Sequence, residues 1–367
     1  MSVRKEIHEL LERRFYIQEG NGELCCHMRI CRNLQGYAFP VKASRADRQK
    51  ISLMIQDALA QLAGPKQKLT IIPWSTCSDE ERRFLKRLYH LEAPCEETAI
   101  VYGKKFRDSF IINDGDALRL DGIISLRMMW AIWKSLNKLE NQLQDYLPFA
   151  FDPERGYATV SPSCYGTGVD VRAHVHLPAL CFKQKLVQLQ EALKVMHLKM
   201  DAVEVLGDKI LGHQFFITPT TTQGCSEEEA LDHLITTVEE VVKREKRVRD
   251  YLWRNDRNFM KDSISRAIGV LKSCYELTFE EGMNLISVVL MGMDMGIVPH
   301  EGKLDLASLW GLMPIEFLAE CCKGAFDPNY ENKIRAEAVR AYFLAYNIDV
   351  INNDAYDDED EEEDYVS

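Results

Sequence analysis

Between Val169 and Leu177 apolar and polar side chains alternate without a break. Val169, Val171, Ala173, Val175 and Leu177 fall on one face of an extended chain, and Asp170, Arg172, His174 and His176 on the other. The pattern predicts a strand with a core face and a face of charge. A strand and a tight polar loop from Gly156 lead into it, and a long helix from Pro178 to Lys199 follows. Leu24 to Pro40 also alternates, apolar against basic, before a turn. Ser44 to Ala63 has helical spacing, with Ile51, Ile55, Leu59 and Leu62 on a broad apolar face closed by Gly64-Pro65. Ser78-Asp79-Glu80-Glu81 is a capping box for a second helix running through Phe84, Leu85 and Leu88. Ser109–Ile112 and Ala117–Leu120 read as strands flanking an Asn113-Asp114-Gly115-Asp116 turn, and Gln214–Ile217 as another strand. Ser226 caps a helix with the stripe Leu231, Leu234, Val238 and Val241, and from Asp256 onward the pattern is wholly helical. The opening MSVRKEIHELLERR reads as a charged amphipathic helix.

Composition narrows the class. Apolar residues make up 46%, ample for a core. The formal charge of -12 includes nine acids between Asp354 and Asp364, so the rest of the chain stands at only -3, without the footprint of a nucleic-acid binder. That tail is too acidic to bury and is expected to be disordered. With no signal peptide and no apolar run long enough for a bilayer, the reading is a reduced, cytoplasmic protein. The eleven cysteines contain no Cys-x-x-Cys, and His174 and His176 lack further ligands in sequence, so no metal site is expected. The polar loop Ser161–Gly168, with two glycines, has the composition of an anion site. Arg29 and Arg32 taken alone are two arginines of an edge strand.

Several of these stretches resemble the ATP:guanidino phosphotransferases, closest to the bacterial protein-arginine kinases. The family carries Cys-Pro-Thr-Asn-(Leu/Val)-Gly-Thr and, in that branch, His-Leu-Pro-Ala-Leu; Pro162, Gly166, Thr167 and His176-Leu177-Pro178-Ala179-Leu180 match at the same spacing. Its Ser-Ser-Arg-(Val/Ile)-Arg-x-x-Arg-Asn-Leu is matched by Arg29, Arg32, Asn33 and Leu34, with His27 at the first phosphate-binding arginine. Its Asn-Glu-Glu-Asp-His-Leu-Arg is matched by Asn113, Asp116, Leu118 and Arg119, with Gly115 at the glutamate that holds the substrate guanidinium. His90 falls on a histidine beside the adenine. The family's second substrate glutamate falls on Lys209, with Asp208 beside it. Asp170 stands at a phosphate-binding arginine, and Arg172 is displaced by two residues, roughly 6.7 Å along the same strand face. Ser161 replaces the loop cysteine. Gly269–Cys274 and Met293–Ile297 resemble the helical C-terminal region of the protein-arginine kinases. In its phosphoarginine motif, Arg-Asp-x-x-Arg-Ala, only Arg335-Ala336 survives.

The resemblance implies an α+β fold: an antiparallel sheet flanked by helices over residues 1–254, an all-helical domain over 255–350, and an acidic tail over 351–367. It implies ATP with Mg2+ held by His27, Arg29, Arg32, His90, Arg119, Asp170, Arg172 and His174, and phosphoryl transfer to a protein arginine. A guanidinium with a pKa near ~12.5 is a poor nucleophile until a carboxylate orients it and takes a proton, and Asp114 or Asp208 would have to do so, with Ser161 at the loop position. The altered positions make a pseudokinase the alternative, and a structural subunit dimerising through its helical domain a third. Family partners would be a zinc-containing activator protein, a stress-response repressor and the Clp protease system, with the chain itself a homodimer.

Overall fold

The computed structural model describes residues 23–65, 68–103, 109–222, 224–298, 306–311, 313–321 and 327–348. The opening amphipathic stretch and the acidic tail lie outside the described residues. Eight strands, β1 (Glu23–Arg32), β2 (Leu69–Pro73), β3 (Pro94–Gly103), β4 (Ser109–Asp114), β5 (Asp116–Ile124), β8 (Val169–His176), β9 (Leu198–Ala202) and β12 (Gln214–Pro219), pair antiparallel in the order β2-β3-β4-β5-β1-β8-β12-β9. Among the described residues there are also two short hairpins, β6 (Phe151–Asp152) with β7 (Gly156–Tyr157) and β10 (Val205–Leu206) with β11 (Lys209–Ile210). β1 is therefore a central strand, against the edge position expected of it, and both Arg29 and Arg32 are buried.

The alternation of β8 and β1 sorts the sheet into two faces. Cys26, Met28, Ile30, Val171, Ala173, Val175, Phe215 and Ile217 form the core face. Against it lie α1 (Arg45–Ala63), α3 (Met129–Leu143), α5 (Leu186–Val195) and α6 (Glu227–Asn255). Both capping boxes read from sequence form, Ser78 with Glu81 ahead of α2 (Asp79–Tyr89) and Ser226 with Glu229 ahead of α6. α2 packs on the opposite face, where Phe84, Leu85 and Leu88 meet Ile100, Tyr102 and Ile111.

The long helix expected over Pro178–Lys199 is three elements. α4 (Pro178–Phe182) is held at its start by the Glu245 carboxylate, which accepts the Ala179 and Leu180 N–H groups at 2.9 and 3.0 Å. The chain breaks at Gln184 (φ 54), resumes as α5 and turns at His197 (φ 55) into β9, so Lys199 lies in a strand opposite Thr218. The stretch Leu198-Lys199-Met200 alternates buried and exposed, and sheet pairing overrides its helix propensity.

A second hydrophobic core follows Asp256, built on α7 (Arg257–Ser273), α8 (Phe279–Asp294), α9 (Leu306–Gly311) and α11 (Glu331–Ala345). Met291 and Met293 are buried in it. α10 (Ile315–Cys321) reaches back to α2, where Phe317 meets Phe84 edge-on at 5.1 Å. Ser287 of α8 bonds both His176 (2.8 Å) and His213 (2.7 Å) at the end of the sheet.

Candidate active site

The polar face of the sheet collects its charge by strand register. Arg29 lies opposite Asp121 on β5 and Asp170 on β8, while His27 lies opposite Arg172 and Cys25 opposite His174. Arg119, two residues before Asp121, shares that face, and the C-terminal end of α2 closes over it. The Tyr89 carbonyl accepts Arg29 Nη2 at 3.3 Å and Arg119 Nη2 at 2.7 Å. A helix C-terminus carries partial negative charge and suits two guanidinium groups.

Every arginine of this cluster is met by carboxylates. Asp170 takes Arg172 in a fork, at 2.7 Å to Nη2 and 3.0 Å to Nε, and also Arg29 Nη1 at 3.4 Å. Asp121 lies 3.5 Å from Arg29 and 3.3 Å from Arg119. Asp114 lies 2.8 Å from Arg119, and Glu92 lies 3.5 Å from Arg172 and 4.0 Å from Arg29. Three guanidinium groups thus face four carboxylates, a formal net charge of -1. Burial alone would push the Asp170 carboxyl up, but Arg172 and Arg29 outweigh it and hold it below its ordinary value. Burial pulls Arg119 down, and Asp121 and Asp114 more than restore it. Arg29 is lowered, by burial first and then by Arg119.

This donor set does not fit a magnesium-nucleotide polyphosphate. Phosphate sites work because guanidinium N–H groups are free to turn to the ligand. Here most of those groups are taken by Asp170, Asp114 and a helix carbonyl, with Asp121 close by; Arg29 Nε and Arg119 Nε are buried without a hydrogen bond, but an incoming polyanion would meet net negative charge. Arg32 lies apart from this cluster. Three residues from Arg29 on a strand, it points to the opposite face, where Nε donates to Glu140 at 2.8 Å and the guanidinium lies 3.5 Å over the Tyr157 ring. Gly168 makes room for it, since a Cβ there would sit 2.3 Å from Arg32 Nη1.

The expected carboxylate base is also committed elsewhere. Asp114 has no exposed side-chain surface, and it accepts the Glu92 and Ala93 N–H groups (3.1 and 2.9 Å) as well as Arg119. It fastens the residues after α2. The turn that carries it, with Asn113 at φ 56 and Gly115 at φ 78, leaves no acidic side chain at the glutamate position. Asp116 is bound to Asn33 at 2.7 Å and to the Val160 N–H at 2.9 Å. Asp208 is exposed at the tip of the β10–β11 hairpin and forms no ion pair with a described residue, while its neighbour Lys209 pairs with Glu280 at 2.6 Å. Ser161 Oγ bonds Ser163 Oγ at 2.9 Å, and burial pushes the nearby Cys164 thiol up to about 11, far from a reactive thiolate.

His90, His27 and His174 gather around Phe216. His90 ends α2 in the left-handed conformation (φ 46), and its ring meets His27 at 5.3 Å and Phe216 at 5.8 Å. His174 stacks on Phe216 at 4.9 Å and bonds Gln214 at 2.8 Å, and burial pushes it down to about 4. His176 is drawn away to Ser287. In the helical region Arg335 is fully buried and spends its guanidinium on the Met313 and Leu277 carbonyls at 2.8 Å each, with Asn332 and Glu331 beside it. Sequence reasoning missed Asp121, Glu92, Gln214 and Phe216. Only Asp121 carried a local signal, its two-residue spacing from Arg119.

The sheet buries one face under four helices and carries the cluster of Arg29, Arg119 and Arg172 on the other, and comparison with known proteins gives the family. The chain belongs to the ATP:guanido phosphotransferase family: the family model for its C-terminal catalytic domain matches residues 50–248. A second model, for the C-terminal domain of the protein-arginine kinase McsB, matches residues 257–354, which places the chain on the protein-arginine kinase branch. The protein-arginine kinase of Clostridium acetobutylicum is 27% identical over 317 residues, covering 85% of this chain and 93% of that protein. That of Moorella thermoacetica is 30% identical over 302 residues, covering 78% and 85%. Among solved structures, lombricine kinase aligns with a TM-score of 0.52 at 19% identity, covering 63% of this chain and 68% of that one. The duplicated taurocyamine kinase of Schistosoma mansoni aligns with a TM-score of 0.56 at 18% identity, covering 84% of this chain and 47% of that one. Both carry the same fold. No described helix is long and apolar enough to cross a membrane.

Proposed function

We propose that this chain is a protein-arginine kinase homologue that has kept the scaffold of the family and given up phosphoryl transfer, acting as a binding partner within that system. The observation that carries this reading is the self-neutralised arginine cluster, with Asp170 seated where a phosphate-binding arginine falls and paired to both Arg172 and Arg29. Removing a single preorganised group commonly costs ~10²-fold in rate. Here the substrate glutamate, two phosphate arginines and the loop thiol are replaced together. What remains intact is the folded sheet and the helical region, the parts that a partner would grip. By kinship the candidate partners are a zinc-containing activator, a stress-response repressor and the Clp protease system.

One observation favours a rerouted transferase as the second reading. Glu92 is more than half exposed at the mouth of the cluster and beside Arg172, the position from which a carboxylate could reach a guanidinium. The test is to incubate the full chain with ATP, Mg2+ and an arginine-rich protein and to measure acid-labile phosphoarginine. No transfer is expected. Transfer that is abolished by Glu92→Ala would establish the second reading.

A further inference from the structure

On the same polar face, one strand step beyond the arginines, Cys25, His27 and His174 converge. Cys25 Sγ lies 3.5 Å from His27 Nε2 and 3.8 Å from His174 Nδ1, and the three atoms all lie within 4.8 Å of one another. A tetrahedral zinc ion with Zn–S of about 2.3 Å and Zn–N of about 2.0 Å requires sulfur–nitrogen edges of about 3.5 Å. The two sulfur–nitrogen distances are close to that requirement, and the nitrogen–nitrogen edge lies within 4.8 Å. We propose that Cys25, His27 and His174 bind one zinc-class divalent cation, leaving its fourth position open.

Two features beyond proximity point to a ligand. Gln214, itself almost fully buried, accepts the His174 Nε2 proton through Oε1 at 2.8 Å, which leaves the lone pair of Nδ1 directed at the Cys25 sulfur. Fixing one ring nitrogen so that the other can coordinate is the usual outer-shell arrangement for a metal-binding histidine. Phe216 lies against both imidazoles, at 5.4 Å from His27 and 4.9 Å from His174, and supplies an apolar wall on one side of the cluster. One thiolate and two imidazoles select zinc or a similar borderline cation over magnesium or calcium. Coordination deprotonates the Cys25 thiol, and that proton leaves to solvent. The three residues come from two neighbouring strands in register, Cys25 opposite His174. The site is therefore set by the sheet and does not depend on whether phosphoryl transfer survives.

The full chain, stripped with chelator under reducing conditions, would be titrated with Co2+ and then with Zn2+ as competitor. The expected result is one equivalent of Co2+ with tetrahedral visible absorption and a near-ultraviolet thiolate band, both displaced by Zn2+. Cys25→Ser should lose the thiolate band, Gln214→Leu should weaken binding about 10-fold or more, and Cys95→Ser should change neither. Circular dichroism and melting of each metal-free variant separate loss of the site from loss of fold. A raised melting temperature of the wild-type chain with Zn2+, absent in Cys25→Ser, is an independent readout. Absence of the band in the wild type, or a band unchanged in folded Cys25→Ser, overturns the proposal.

Discussion

Replacing Asp170 by asparagine tests the self-neutralisation directly. The carboxylate is 2.7 Å from Arg172 and 3.4 Å from Arg29, so its loss brings the cluster from a net charge of -1 to zero and releases donors from two guanidinium groups. A unit charge about 6 Å from the doubly negative ATP-Mg complex, at an effective dielectric of about 20, is worth about 5 kcal/mol. Counter-ions and the partial exposure of Arg172 reduce this to roughly 2–3 kcal/mol, a gain of about 30- to 150-fold in affinity. Arg29 keeps Asp121 at 3.5 Å and the Tyr89 carbonyl at 3.3 Å, so the variant is expected to fold. Calorimetric titration with ATP and Mg2+ should show weak or no binding to the wild type and measurable binding to Asp170→Asn, with a larger gain for Asp170→Arg. Melting curves confirm that all three are folded. Tight binding by the wild type, or a folded Asp170→Asn that binds no better, would refute the electrostatic reasoning.

Other expectations follow from single contacts. Asp114→Ala removes the acceptor of two N–H groups and the partner of buried Arg119, and should cost about 3–5 kcal/mol in denaturant unfolding. Gly168→Ala places a methyl 2.3 Å from the Arg32 guanidinium and 2.9 Å from the Cys31 carbonyl at a φ of +67, and should destabilise by about 1–3 kcal/mol. Burial pushes His213 down to about 4, so the folded state holds it neutral. Below its ordinary value of ~6.5 the unfolded chain binds the proton that the folded one refuses, so stability falls from there to about pH 4 by at most about 3 kcal/mol, then levels off. His213→Gln should reduce the slope of that part of the stability–pH curve, leaving the share that buried His174 contributes. Iodoacetamide at mildly alkaline pH should leave Cys164 unmodified in the folded protein, as mass mapping would show, because its thiol titrates near 11.

The strict alternation of β8 and the capping boxes at Ser78 and Ser226 made both faces of the sheet and two helix starts legible, because each depends on neighbours within a few residues. The face of Arg32 follows from period two, since three residues from Arg29 on a strand reverses it, but its partner Glu140 comes only from packing. The partners that quench the arginines were not. Asp121 meets Arg29 only through the β1–β5 register, and the Tyr89 carbonyl only through the packing of α2, neither of which is encoded locally. Cys25 and His174, 149 residues apart, came together for the same reason. The break at Gln184 escaped the helical pattern because β9 gains its partner, β12, from later in the chain.

The contact of Phe317 with Phe84 bears on how the chain can be divided. Although Asp256 separates two hydrophobic cores, α10 completes the apolar cluster around α2, and Ala179 and Leu211 from the sheet region sit in the helical core. A chain cut at Asp256 would bare Phe84 at one place and Ala179 and Leu211 at another, presenting greasy surface at both, and would leave His176 without Ser287. The halves are thus not interchangeable cassettes, and a relative that lacks the helical region must dress its α2 in a different way.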